Sequence, residues 1–177
     1  MTTPLQRLLD GRPPSWLRKI EVRVISAVFA KALDAQAPSM RTRNAGEALI
    51  ALQEFSTARM EASLAGGLAQ THRARLGQRA RTLGTWIRRL APMSQATRAH
   101  LVRYLYRGIN IELVGFMPGE LRFGPCSFAR YYSPACCALM SAFDEGFICG
   151  IMGLSGPLVF ETRLTEGATC CFAFIGQ

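Results

Sequence analysis

Apolar residues recur three or four apart through most of the first 107 positions. Pro13-Pro14-Ser15 sets up a helix start, and Leu17, Ile20, Val24, Val28 and Phe29 follow at helical spacing until Ala37-Pro38 ends the run. Asn44 followed by Glu47 is a capping-box pattern with Asn in place of Ser or Thr. Leu49, Leu52, Phe55, Met60, Leu64 and Leu68 mark the next helix, whose end Gly66-Gly67 loosens. From about Thr71 to Leu90 a third helix gathers Leu76, Ala80, Leu83, Ile87 and Leu90 in one sector of its wheel. Arg73, Arg75, Arg79, Arg81, Arg88 and Arg89 take the remaining sectors, which reads as a solvated back face. Pro92 stops that helix, and Ser94 can cap a fourth reaching about Arg107.

At residue 109 the period changes from 3.6 to 2. Ile109, Ile111 and Leu113 alternate with Asn110 and Glu112, which predicts a strand. Pro118-Gly119 has type II turn chemistry, so Leu121 to Phe128 is expected to return as a hairpin partner. Pro134 can open a helix with Leu139, Phe143, Phe147 and Ile151 at four-residue spacing. Its small residues, Ala135, Ala138, Ser141, Ala142, Gly146 and Gly150, would let it lie close to a sheet or a ligand. Strands over Leu158–Leu164 and Ala168–Ile175, joined at Thr165-Glu166-Gly167, complete the chain. The expectation is an α+β fold in one domain: about four N-terminal helices over residues 1–107, then a ββαββ antiparallel-sheet segment over 108–177 enclosing a small-molecule pocket.

Composition narrows the class. At 177 residues, with 49% apolar and 19% charged, the chain is neither disordered nor too short to bury a core. Charges interrupt the long apolar stretches, so no bilayer span is expected. Arg7, Asp10 and Arg12 fall where the apolar core of a signal peptide would begin, which points to the cytoplasm and to reduced thiols. The net charge of +9 divides unevenly. Residues 1–107 hold 16 Arg and 2 Lys against 6 acids, whereas residues 108–177 hold 3 Arg against 6 acids. Nineteen Arg to two Lys, in an alanine-rich chain, is a skew that genome composition often produces, so nucleic acid is not the expected partner. All six cysteines lie from Cys126 onward, in the acidic part.

That second part carries a pattern. Cys126-Ser-Phe-Ala-Arg-Tyr-Tyr132 precedes Cys136-Cys137 and Glu145-Gly146-Phe147, and the chain closes on Thr162-Arg-Leu-Thr-Glu-Gly167-Ala-Thr-Cys-Cys171-Phe. This resembles the L-2-amino-thiazoline-4-carboxylic acid hydrolase family, with its Cys-Pro-Phe/Tyr-Ala, helix Cys, Glu-Gly-Phe and terminal Glu-Gly-Ala and Cys. The same frame resembles the 4-vinyl reductase, hydrocarbon-binding domain: Cys137 stands nine residues before Gly146, Glu161-Thr162 follows, and Gly167 stands four before Cys171. The resemblance spans residues 109–175 and implies either a small-molecule hydrolase acting on a C–N bond or a non-catalytic binding module. The sequence departs from both patterns. Met140 and Ser141 stand where the hydrolases have an Asp, and Leu164 replaces a cysteine of the zinc set found in some hydrocarbon-binding sensors, which here would be Cys137, Glu161 and Cys171. A zinc ion would need Cys126 or Cys170 recruited, so no cofactor is assigned.

The candidate catalytic residues are Cys137 and Cys171 with Asp144 or Glu145 as base; Cys126, Tyr131, Phe143, Phe147, Glu161 and Arg163 are candidates for the substrate site. Cys137 could be a nucleophile if its thiolate were favoured, and could equally be a small buried apolar residue. Cys170 and Cys171 face opposite sides of a strand, and Cys171 is the one expected to face the pocket. Cys136 lies about 100° from Cys137 around the helix and Cys149 follows the core pattern. Glu161 and Arg163 read either as a solvent-face ion pair or as polar groups in the pocket; Arg163 could hold a carboxylate. Tyr131, Tyr132, Phe143 and Phe147 read as pocket walls or as ordinary core. No His or Lys follows residue 107, so a histidine reaches the pocket only if packing brings His72 or His100 there. The expected partner is a small molecule, with a homodimer left open.

Overall fold

A computed structural model describes residues 4–41, 43–90, 92–117 and 119–176. Within them the fold is α+β: α1 (Pro4–Leu9), α2 (Ser15–Ala32), α3 (Ala45–Ala65), α4 (Ala69–Leu90) and α5 (Gln95–Gly108) precede β1 (Ile111–Met117), β2 (Glu120–Cys126), α6 (Pro134–Met152), β3 (Leu158–Thr162), a 3-10 turn at Leu164–Glu166 and β4 (Cys171–Ile175). The strands form one antiparallel sheet in the order β1-β2-β4-β3. Ile111, Leu113, Leu121, Phe123, Leu158, Phe160, Cys171 and Ala173 turn one face of it toward the core helices.

Local chemistry sets the ends. Asn44 accepts from the Gly46 and Glu47 amides while the Glu47 carboxylate accepts from the Asn44 amide, completing the capping box. Asn44→Ala is expected to cost about 1 kcal/mol in urea unfolding, because it strips an acceptor from first-turn amides. Ser94 accepts from the Thr97 amide and Ser133 from the Cys136 amide, starting α5 and α6. The predicted strand begins two residues late. Ile109 instead caps α5, and Asn110 takes φ +57°, a left-handed value that asparagine tolerates. Pro118 of the expected turn lies outside the described residues, while Gly119 has φ +91°.

Helix faces diverge from the sequence reading in two places. On α2 the buried line is Val22, Ile25 and Phe29, whereas Ile20 and Val24 are exposed. An 18-residue helix with apolar residues on two sides offers two faces to the core, and periodicity alone does not choose between them. It also ends at Ala32, five residues before Ala37, as Asp34 turns left-handed. Half of the small residues of α6 serve a neighbouring helix rather than the sheet or a ligand, while Ser141 faces the sheet side. Ala142, Gly146 and Gly150 lie against Gly77 and Gly84 of α4, so close that a Cβ on Gly150 would sit 2.5 Å from the Arg81 carbonyl.

Arginines are used as helix ends as well as surface. Arg81 donates to the Leu154 carbonyl and Arg98 to the Met152 carbonyl, both at the C-terminus of α6. Arg18 donates to Gly108 at the end of α5, and Arg107 to Asp10 beyond α1. Free carbonyls and the negative end of the helix dipole favour a cation there. Arg73 is bound to the Ala138 carbonyl and to Glu145, so the back face of α4 is only partly solvated. By length and composition α6 could cross a membrane; here 72% of its apolar window is buried inside the protein.

Candidate functional site

The N-terminal half of α6 lies over the inner face of the sheet, and the gap between them is a chamber. Cys137, Met140, Ser141 and Asp144 project into it from α6 at spacings of three and four. Ile111, Phe123, Cys126, Phe160 and Cys171 line it from the sheet. Phe128, Ala129, Tyr132, Arg163 and Leu164 complete the lining. The centre of a water molecule has about 40 Å³ to move in, enough for a few waters or one compact small molecule.

Burial dominates its electrostatics. The Asp144 carboxyl is pushed up to about 7 by desolvation, with the Tyr106 hydrogen bond opposing the shift and Glu145 adding to it. Tyr106, on α5, donates to Asp144 Oδ1 at 2.6 Å and is itself fully buried, with its own ionisation pushed far up. The thiols respond in the same direction. Burial raises Cys126 to about 12 and Cys137 to about 11, and raises Cys171 as well. The Leu164 amide donates to the Cys171 sulfur at 3.3 Å, and the Thr165 hydroxyl partly offsets the shift of Cys137. At neutral pH the three thiols are therefore protonated, while Asp144 is half ionised.

Arg163 reaches the chamber because β3 is irregular. The β3–β4 register shifts between Phe160 and Thr162, so the residues beyond the shift change faces. Val159 and Glu161 stay on the exposed outer side, and Arg163 turns inward. Its guanidinium lies 5.7 Å from the Phe160 ring centroid and binds Glu166 at 3.2 Å, while its Nε is buried without a hydrogen-bond partner. The alternation that placed Glu161 and Arg163 on one face fails at this shift.

Several candidates lie elsewhere. Glu145, one residue past Asp144, turns about 100° away and pairs with Arg73 at 2.5 Å. Phe143 and Phe147 stack on each other at 5.5 Å, and Phe29 and Tyr106 flank them, so both rings are core. Tyr131 lies outside the lining with the Arg130 guanidinium over its ring, and its neighbour Tyr132 takes the place in the wall. Cys136 and Cys149 are buried in the core. His72 is held by Ser63 and Asp34, and His100 by Asp10; neither lines the chamber. The zinc set is not assembled, since Glu161 faces outward, and among the described residues no three of His, Cys, Asp and Glu gather closely enough to hold a metal ion.

Tyr106 is not among the expected site residues. Its signal was a tyrosine four residues after Val102 on the buried line of α5, where a phenol hydroxyl needs a partner. Phe123, Phe128, Met140 and Phe160 were also missed as walls, since nothing in their spacing separates a wall from a core position.

Compared with protein-family models, curated proteins and solved structures, the chain matches none of them. The resemblance over residues 109–175 rests on its motifs alone.

Proposed function

We propose that this protein acts on a compact small molecule enclosed between α6 and the sheet, by acid–base chemistry at Asp144. The reaction class is hydrolysis of a C–N bond in a heterocyclic or amino-acid-derived substrate, the class of the thiazoline-carboxylate hydrolases that the chain resembles. One observation carries this reading: a carboxyl of pKa about 7, oriented by Tyr106, in a chamber large enough for a ligand. A group that titrates near the working pH is the best poised to take and return a proton.

Asp144 as carboxylate removes a proton from a water, whose oxygen attacks the amidine carbon. The proton then passes to the departing nitrogen as the C–N bond breaks. Arg163, bound to Glu166 but with its Nε unpartnered, is the cation of the lining that an acidic substituent would meet. Cys137 is not the nucleophile of first choice. Moving its proton to Asp144 runs from about 11 to about 7, an uphill step of roughly 5 kcal/mol.

The test is turnover of the thiazoline carboxylate against pH. The rate is expected to climb through about pH 7 as Asp144 ionises. Cys137→Ala should retain most of it. A rate that rises only above pH 9, or that vanishes with Cys137, would return the chemistry to the thiol.

The neutral state of all three thiols and the largely apolar walls favour a second reading, a non-catalytic module for an apolar ligand. Native mass spectrometry of the purified protein separates the two: a retained apolar ligand and no turnover belong to the module.

A further inference from the structure

The Asp144 carboxylate has no cation beside it. Among the described residues no ion pair includes it, and Oδ1 is held only by a neutral phenol. Its neighbour Glu145 has Arg73, and Arg163, also in the lining, has Glu166. With Arg163 paired to Glu166 outside the lining, an ionised Asp144 is the unpaired charge of the chamber. Buried charge of that kind is costly unless something pairs with it.

The walls supply the rest of a cation site. Phe123 and Phe160 stack at 5.6 Å, and Phe128 and Tyr132 meet at 5.5 Å, so two aromatic pairs border the space. The Tyr132 hydroxyl is hydrogen-bonded to Ser56 at 2.6 Å and not to Asp144, whose remaining oxygen is left for a ligand. Aromatic faces attract cations, and the Arg163 guanidinium already uses Phe160 in this way. Carboxylate, aromatic walls and limited room select a small organic cation, and among the described residues no three of His, Cys, Asp and Glu stand close enough to hold a metal ion instead.

From this we infer that the chamber recognises a compact alkylammonium group, its N–H directed at Asp144 and its alkyl carbons against the rings. The inference rests on the reading that the chamber admits a small molecule, and names the chemical class it takes. Binding then follows the charge of one group. Tyr106, Cys126, Cys137 and Cys171 all keep their protons between pH 6 and 8, since each is pushed upward. Glu145 and Arg163 are ion-paired, and Glu21 of α2 acts on Tyr106 rather than on the chamber. Glu21, raised to about 8, also titrates in this range but lies outside the lining; of the lining groups Asp144 alone changes state there.

The experiment titrates the protein with tert-butylammonium and with tert-butanol, near-isosteric and differing in charge, following Kd by NMR at pH 6 and pH 8 at constant ionic strength. The ammonium is expected to bind at least about tenfold tighter than the alcohol at pH 8, and to lose about tenfold at pH 6 as Asp144 takes up its proton. The alcohol should bind equally at both. Asp144→Asn, which keeps an oxygen for Tyr106, should erase the discrimination; the pH series on the unaltered protein gives the same answer if that variant does not fold. Equal binding of both probes, or an ammonium preference indifferent to pH, overturns the cation inference and leaves the chamber reading standing. If neither probe binds, both fall.

Discussion

Gly146→Ala unfolds the protein or lowers its stability by about 3 kcal/mol or more, a large part of the ~5–15 kcal/mol that a domain of this size has. The added methyl would meet the backbone carbonyl of Gly77, with the Arg81 amide next to it. Backbone cannot swing aside as a flexible side chain can, so the two helices must separate. That separation undoes the close packing of two helices, where Ala142, Gly146 and Gly150 of α6 meet Gly77 and Gly84 of α4. Gly77→Ala is the matched control. Its Cβ would lie 3.3 Å from the Ala142 carbonyl, a tight but adjustable contact, and alanine's better helix propensity works in its favour. Urea unfolding of the two variants decides the matter. A Gly146→Ala protein as stable as Gly77→Ala would mean that the seam is looser than the geometry requires.

Asp144→Asn should separate stability from activity. In the fold its carboxyl titrates at about 7, against about 3.9 in an unfolded chain, so the folded state prefers the protonated form. Between those values the folded protein holds a proton that the unfolded chain has released. The Asp144 contribution to stability therefore falls as pH rises from about 4 to about 7 and is fully lost above that, while Glu21, raised to about 8, extends the fall in parent and variant alike. Asparagine removes the charge and keeps an acceptor for Tyr106. The variant should melt higher than the parent at pH 8, with the gain fading toward pH 4. Over the same change, turnover of a C–N substrate should drop about 10²–10⁴-fold, the usual contribution of a positioned base. Thermal melts at several pH values test the first half without any substrate. A variant that melts lower at pH 8 would show that Asp144 is stabilised as the anion; one that keeps its turnover would remove the carboxylate from the chemistry.

Much of the architecture was legible because it is local. The Asn44-Glu47 pair, Ser94, Pro92 and Pro134 act through the backbone of adjacent residues, and the helices and hairpin follow the ends they mark. The short α1 was missed as a helix, since six residues carry too little periodicity. The candidate site was legible only in part. Cys126, Cys137, Asp144, Arg163 and Cys171 do meet in one chamber, because the ββαββ order folds the cysteine-bearing helix over the sheet. Glu145, Glu161, Phe143 and Phe147 share the same segments and go elsewhere.

The sequence by itself determined where helices start, where the period turns from 3.6 to 2, and that the cysteines and acids concentrate in the second half. Those are properties of neighbours along the chain. Only the tertiary structure decided which stripe of α2 is buried, that the glycines of α6 serve α4, and that arginines close helix ends. The same holds for Tyr106 orienting Asp144 across 38 residues and for the register shift in β3 that turns Arg163 inward. The physical reason is common to all of them. Burial and pairing depend on which elements come together, and a group such as Asp144 acquires its pKa from that enclosure.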